Sequence, residues 1–266
     1  MSTAQALEPR GSIAAFSAGA AVAMLGGLIG LGGAEFRLPL LLMFGLAVLP
    51  AIIVNKAISL VVVASALLFR GTAVPVASVA EQWPVIVNLL LGSLAGAWIA
   101  AGWATRWRGA TLQRVVSLLL VLIAVLLLLH PGHADAAPAL EGTALRVAGV
   151  MAGFGIGIVA SLLGVAGGEL LIPTLVLLFG IDLKLAGSVS LTISLPTMLA
   201  GFARYCRDSS FAVLRLHRGF VLAMAAGSVL GAALGGLLLG SVPVVLLLPA
   251  LAVILAVSAI RMWRHR

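Results

Sequence analysis

The chain has 266 residues, of which 62% are hydrophobic and 9% charged, and its mean hydropathy is +1.24. A soluble domain runs about half apolar and about a quarter charged, so no water-soluble fold hides this much apolar surface. The formal charge of +8 invites nucleic acid as a partner, but the basic residues sit in short loops and at the C-terminal end, where orientation in a bilayer accounts for them.

Segments of about twenty apolar residues, the length needed to cross about 30 Å of hydrocarbon, recur from Ser12 onward. Residues 1–11 read as a tail with Glu8 and Arg10. With no convincing small-residue cleavage site after it, the run that follows is expected to stay as the first helix. In chain order the expected elements of a first repeat, 12–130, are 12–31, a short piece 36–48, then 51–70, 84–104 and 112–130. A connecting loop spans 131–143, and a second repeat, 144–261, follows as 144–165, 169–181, 185–205, 217–239 and 243–261, before a basic tail 262–266. The stretch from Ser12 to Leu49 would be about 57 Å long as one helix, so it must break. Gly30, Gly32 and Gly33 supply the break and Pro39 a half-helix start, because glycine permits positive φ and proline suits a helix's first turn.

The chain matches itself. GLGGAEFRLP at 30–39 aligns without a gap with GVAGGELLIP at 164–173, pairing Gly30, Gly33, Glu35 and Pro39 with Gly164, Gly167, Glu169 and Pro173. Phe44-Gly45 then matches Phe179-Gly180. One residue further along in spacing, Ser59-Leu60 matches Ser194-Leu195 and GSLAGA at 92–97 matches GSVLGA at 227–232. The expected fold is an all-α polytopic transmembrane bundle of two repeated halves, each with a broken helix. Five crossings per half would invert the second copy, and four would not. Five put Arg10, loops 105–114 and 204–218 and the tail from Arg261 on the cytoplasmic side with both termini, leaving Arg70, Arg146 and Lys184 outside, as the positive-inside tendency favours.

A helix broken at membrane depth leaves backbone N–H groups that lipid cannot satisfy, and a half-helix start is a ready anion site. Gly30, Gly32, Gly33, Gly164, Gly167 and Gly168 therefore become candidate substrate-binding backbone, with Pro39 and Pro173 starting the half-helices. Charge at membrane depth marks pathways, which singles out Glu35, Glu169, Arg37 and Lys56. The two glutamates are candidates for proton coupling, or else caps of their half-helices. Arg37 and Lys56 lack charged counterparts, since the second copy has Leu171 at the position of Arg37. Either binds an anionic head group, or Arg37 pairs with Glu35 or snorkels to an interface. Asn55, Ser59, Ser190, Thr192 and Ser194 offer dipoles to an oxyanion, or hold helices together. GSLAGA and GSVLGA read as packing signals. Trp83, Trp98, Trp103, Trp107 and Trp263 read as an interfacial belt, while His130, His133 and Cys206 form no metal or redox pattern. No catalytic constellation, cofactor or metal is expected.

The paired segments GLGGAEFRLPLLLMFG and GVAGGELLIPTLVLLFG, with ISLPTMLAGFARYCRD, resemble the TauE/SafE sulfite exporter family, also described as four-toluene-sulfonate uptake permeases. The resemblance spans nearly the whole chain, and its signature falls on Gly30, Gly32, Gly33, Pro39, Gly164, Gly167, Gly168 and Pro173. Ala34 and Ala166 each replace a glycine in one copy, and Glu35 with Arg37 makes the first motif more charged than usual. The resemblance implies a bacterial-type inner-membrane carrier of sulfite, sulfonates, sulfoacetate or carboxylates, working by alternating access without ATP hydrolysis. Protons, or Na+, are the expected coupling ions. A non-transporting membrane scaffold or assembly subunit and a Na+/H+ cation carrier are the competing expectations.

Overall fold

The structure, a computed structural model, describes residues 9–29, 33–70, 74–108, 110–112, 114–115, 118, 140–207 and 212–237. Most of these are helical, with no strand among them. The elements are α1 (Pro9–Ile29), α2 (Ala34–Met43), α3 (Val48–Arg70), α4 (Val76–Glu81), α5 (Trp83–Arg106), α6 (Gly142–Leu163), α7 (Gly168–Phe179), α8 (Leu183–Arg207), α9 (Ala212–Leu216) and α10 (Arg218–Leu237). Among the described residues five helices are long and apolar enough to cross a membrane, namely α3, α5, α6, α8 and α10. The first helix starts at Pro9 rather than at Ser12. Most of the expected helices 112–130 and 243–261, the loop at 131–139 and the tail from 262 lie outside the described residues.

The polarity is that of a protein dissolved in lipid. Ile13, Val61, Leu91, Met151, Leu199, Leu222 and Leu234 face outward, while Arg37, Asn55, Lys56, Ser59, Ser161 and Ser190 are buried. Exposed Trp83 opens α5 and exposed Trp103 lies in its last turns, a separation of about 30 Å along the axis, which suits the two edges of the hydrocarbon.

The two short helices are half-helices. At 10 and 12 residues, α2 and α7 are about 15–18 Å long, roughly half a bilayer core. Each is preceded by a glycine in the left-handed region, Gly33 at φ 70° and Gly167 at φ 79°. A Cβ on Gly33 would strike the Val22 carbonyl of α1, and one on Gly167 would press on Ala160 and Ile156 of α6. The chain therefore doubles back against the helix it has just left. The half-helices begin at Ala34 and Gly168, so Pro39 and Pro173 do not start them as expected but sit inside them. There each proline withholds the N–H that would bond to the carbonyl four residues earlier, which belongs to Glu35 in α2 and to Glu169 in α7.

Long helices pair through glycine. α1 lies along α10 and α5 along α6, and the motif alignment matches α1 with α6 and α10 with α5. A Cβ on Gly92 or Gly96 would strike the Val150 or Phe154 carbonyl, and one on the matched Gly227 or Gly231 would strike the Phe16 or Ala20 carbonyl. In each pair the positions advance together, so the paired helices run parallel, with the backbones in contact. Gly155 faces open space on the same helix as Gly157, whose added Cβ would meet the Ser93 backbone. Gly157→Ala is thus expected to lower stability by about 1–3 kcal/mol, and Gly155→Ala to leave it unchanged or raise it by up to about 1 kcal/mol, as thermal unfolding in detergent will read.

Candidate functional site

The site is built where the two half-helices begin. α2 is positioned by Gly33 before it and by Gly45 after it, where the Gly45 and Leu46 N–H groups bond the Leu42 and Leu41 carbonyls at 3.0 and 3.2 Å in a Schellman ending. Gly164 ends α6 the same way at φ 69°. Its own N–H bonds the Ser161 carbonyl at 3.3 Å and that of Val165 bonds the Ala160 carbonyl at 3.0 Å. A Cβ at Gly164 would also collide with the Ile52 carbonyl of α3. Glycine is needed there twice over, for φ and for space. Gly33 and Gly167 cap α2 and α7 without a side chain, so no cap side chain takes up their first-turn donors.

Arg37, in the first turn of α2, is completely buried. Its Nη1 donates to Ser59 Oγ at 3.0 Å and to Asn55 Oδ1 at 3.4 Å, both on α3. Asn55 in turn donates through Nδ2 to the Ala34 carbonyl at 2.9 Å and to the Leu163 carbonyl at 3.2 Å. One amide therefore ties the first residue of α2 to the last of α6, bringing the two breaks to one place. The sequence positions Arg37, Asn55 and Ser59 are joined in space because α2 folds back along α3, and residues 55 and 59 share a face at helical spacing.

Lys56 goes elsewhere. One position on from Asn55 it is turned by about 100°, and its Nζ donates to Ser161 Oγ of α6 at 3.3 Å. The ammonium also lies 5.7 Å from the centre of the Tyr205 ring. Tyr205, buried in α8, donates its hydroxyl to the Ser161 carbonyl at 3.0 Å. Sequence reasoning singled out neither Ser161 nor Tyr205 as site residues. The signal lay in position, a serine three residues before the breaking Gly164 and the chain's one tyrosine on a helix that faces it.

In the second half the matching positions are uncharged, two of them leucine and two serine. Leu171 is buried where the first copy has Arg37. Ser190, matched to Asn55, turns back to the Gly187 carbonyl at 2.9 Å, and Thr192 bonds the Ser188 carbonyl at 3.0 Å. Ser194, matched to Ser59, is 1% exposed and its hydroxyl has no partner among the described residues; the Ser188 hydroxyl is in the same state. Gly168 opens α7, and Glu35 and Glu169 are each the second residue of their half-helix. Gly30 and Gly32 lie outside the described residues. Among the described residues no group of three or more His, Cys, Asp and Glu side chains is placed to hold a metal ion.

No curated protein and no solved structure gives a significant match to the chain. A family model does, and its reach agrees with the architecture of apolar helices and buried half-helix starts. Sulfite exporter TauE/SafE matches residues 15–262, so this multi-pass membrane transport protein belongs to the TauE/SafE sulfite exporter family.

Proposed function

We propose that the protein is a secondary carrier that moves a small anion of the sulfite, sulfonate, sulfoacetate or carboxylate class by alternating access, in the cytoplasmic membrane with both termini inside. The observation that carries this is the buried guanidinium of Arg37, set at the start of half-helix α2 and held by Asn55 and Ser59. A planar fork of donors beside a half-helix start, amid apolar spans, favours an oxyanion over a cation. Ser59 and the glycine-led starts of α2 and α7 are the other contacts in this reading, with Ser190 and Ser194 lining the second half. The scaffold and cation-carrier alternatives give no role to a cation lodged at such a start.

Two inverted halves, 12–130 and 144–261, are part of the reading. The reciprocal pairing of α1 with α10 and of α5 with α6 supports duplication. Inversion is supported by direction. α5 runs parallel to α8, through Ser93 beside Thr197 at 2.7 Å and Gly102 beside Arg204. Lys56, early in α3, lies against Gly201, late in α8. Because α3 and α5 are successive candidate spans, α3 then runs against its matched helix α8, as inversion requires.

Glu35 and Glu169, matched at the second position of each half-helix, are the proposed proton carriers, since a carboxyl at membrane depth exchanges protons as access alternates. The pair Glu35→Gln and Glu169→Gln is expected to abolish uptake driven by a pH gradient in proteoliposomes while anion-for-anion exchange persists. Gradient-driven uptake that survives the double change removes the glutamates from the mechanism.

A further inference from the structure

Lys56 is the buried charge that the anion site does not use. Its ammonium lies at the C-terminal end of α6, where the helix dipole is negative, and it meets Ser161 Oγ and the Tyr205 face, with no described carboxylate paired to it. Gly201 of α8 makes the room: a Cβ there would come within 2.7 Å of Lys56 Nζ and 3.0 Å of Ser161 Oγ. The groups that meet the ammonium, Ser161 Oγ, the end of α6 and the Tyr205 ring, are an acceptor, a dipole's negative end and a π face. Those are the features that hold a cation, and helix C-terminal ends beside a break coordinate coupling cations in carriers with duplicated halves. At the repeat-related positions the residues are Gly27, Leu191 and Arg70, so the serine, the lysine and the tyrosine are absent together there.

We propose that Lys56 is a tethered cation that fills a cation site between the end of α6 and α8, so that transport needs no Na+ there. The site's ligand class is a small monovalent cation, and the lysine ammonium is its tethered occupant. Shortening the side chain then opens the site to Na+ or methylammonium, with Ser161 Oγ and the last carbonyls of α6 as ligands. The transport readout rests on the anion-carrier reading above, whereas the thermal readout does not.

The test is Lys56→Ala, with Lys56→Gln as a neutral variant of near-native length that leaves no room for an ion. Purified wild type, Lys56→Ala and Lys56→Gln are melted in choline, NaCl and methylammonium chloride. Lys56→Ala is expected to gain about 3–6 °C, saturably, from Na+ or methylammonium over choline, while the other two gain nothing. In proteoliposomes Lys56→Ala is expected to lose at least about tenfold of anion flux in choline and to recover part of it with either cation, and wild type to be indifferent to Na+. A Lys56→Ala protein that melts alike in all three salts, or carries anion at the wild-type rate in choline, overturns the proposal. Absence of anion flux in the wild type, with the cation-dependent melting intact, counts against the carrier reading alone.

Discussion

Arg37→Leu is expected to lower the initial rate of sulfite or sulfonate uptake by about 100-fold or more while the protein stays folded. The fold argument comes from the chain itself, because Leu171 fills the matched position of the second half at 1% exposed. Leucine at 37 keeps a buried helical position apolar, as in the second half, and gives up the hydrogen bonds to Ser59 and Asn55. The activity argument is energetic. A hydrogen bond to a charged partner contributes about 1.5–3 kcal/mol, and a guanidinium that meets an oxyanion through two such bonds contributes about 3–6 kcal/mol, which is about two to four orders of magnitude in binding. Arg37→Lys, which keeps the charge but not the fork, should fall between the two. Purified variants in proteoliposomes, with equal melting temperature as the check on folding, decide it. Uptake within about threefold of wild type would show that the guanidinium does not bind the cargo.

Gly164→Ala is expected to be among the most destabilising single changes in the chain, at about 2–5 kcal/mol. Two costs add at this position. Alanine at φ 69° pays about 1–2 kcal/mol for the left-handed region, and its Cβ meets the Ile52 carbonyl, a rigid backbone atom, for about 1–3 kcal/mol more. The collision also pushes α3 away from the end of α6 and so lengthens the bond from Asn55 to the Leu163 carbonyl. Flux should therefore fall along with stability. Thermal unfolding and hydrogen exchange at residues 160–166 measure it, and a variant that melts within about 1 °C of wild type contradicts the account of the break.

The breaks themselves were legible from residue types. Glycines that cluster in the middle of an apolar run can serve only positive φ or close approach, and Gly33, Gly164 and Gly167 do both. The role of proline was not. Its chemistry suits a first turn, yet α2 and α7 start five residues before Pro39 and Pro173, because Gly33 and Gly167 supply the turn and the helix begins at once. Arg37 with Asn55 and Ser59 was readable in part, since charge and polarity at membrane depth draw attention. That Asn55 links α2 to α6 was not, because the bond joins residues more than a hundred apart in sequence, through a contact at the end of α6 that no local pattern encodes. Lys56 illustrates the same limit. Adjacent to Asn55 in sequence, it reads as a second anion ligand, but the turn of the helix sends it to Ser161 and Tyr205, and only the packing of α6 and α8 reveals that its surroundings suit a cation.

The central claim, an anion carrier whose cargo meets Arg37 at the start of α2, is tested most directly by counterflow. Proteoliposomes of the purified protein, loaded with unlabelled sulfite, sulfoacetate, taurine or simple carboxylates, are presented with the same labelled anion outside. The account predicts saturable accumulation of label for at least one of these anions, absent from protein-free vesicles and lost in Arg37→Leu. Folded wild-type protein that accumulates none of them, or Arg37→Leu that exchanges at the wild-type rate, would contradict it.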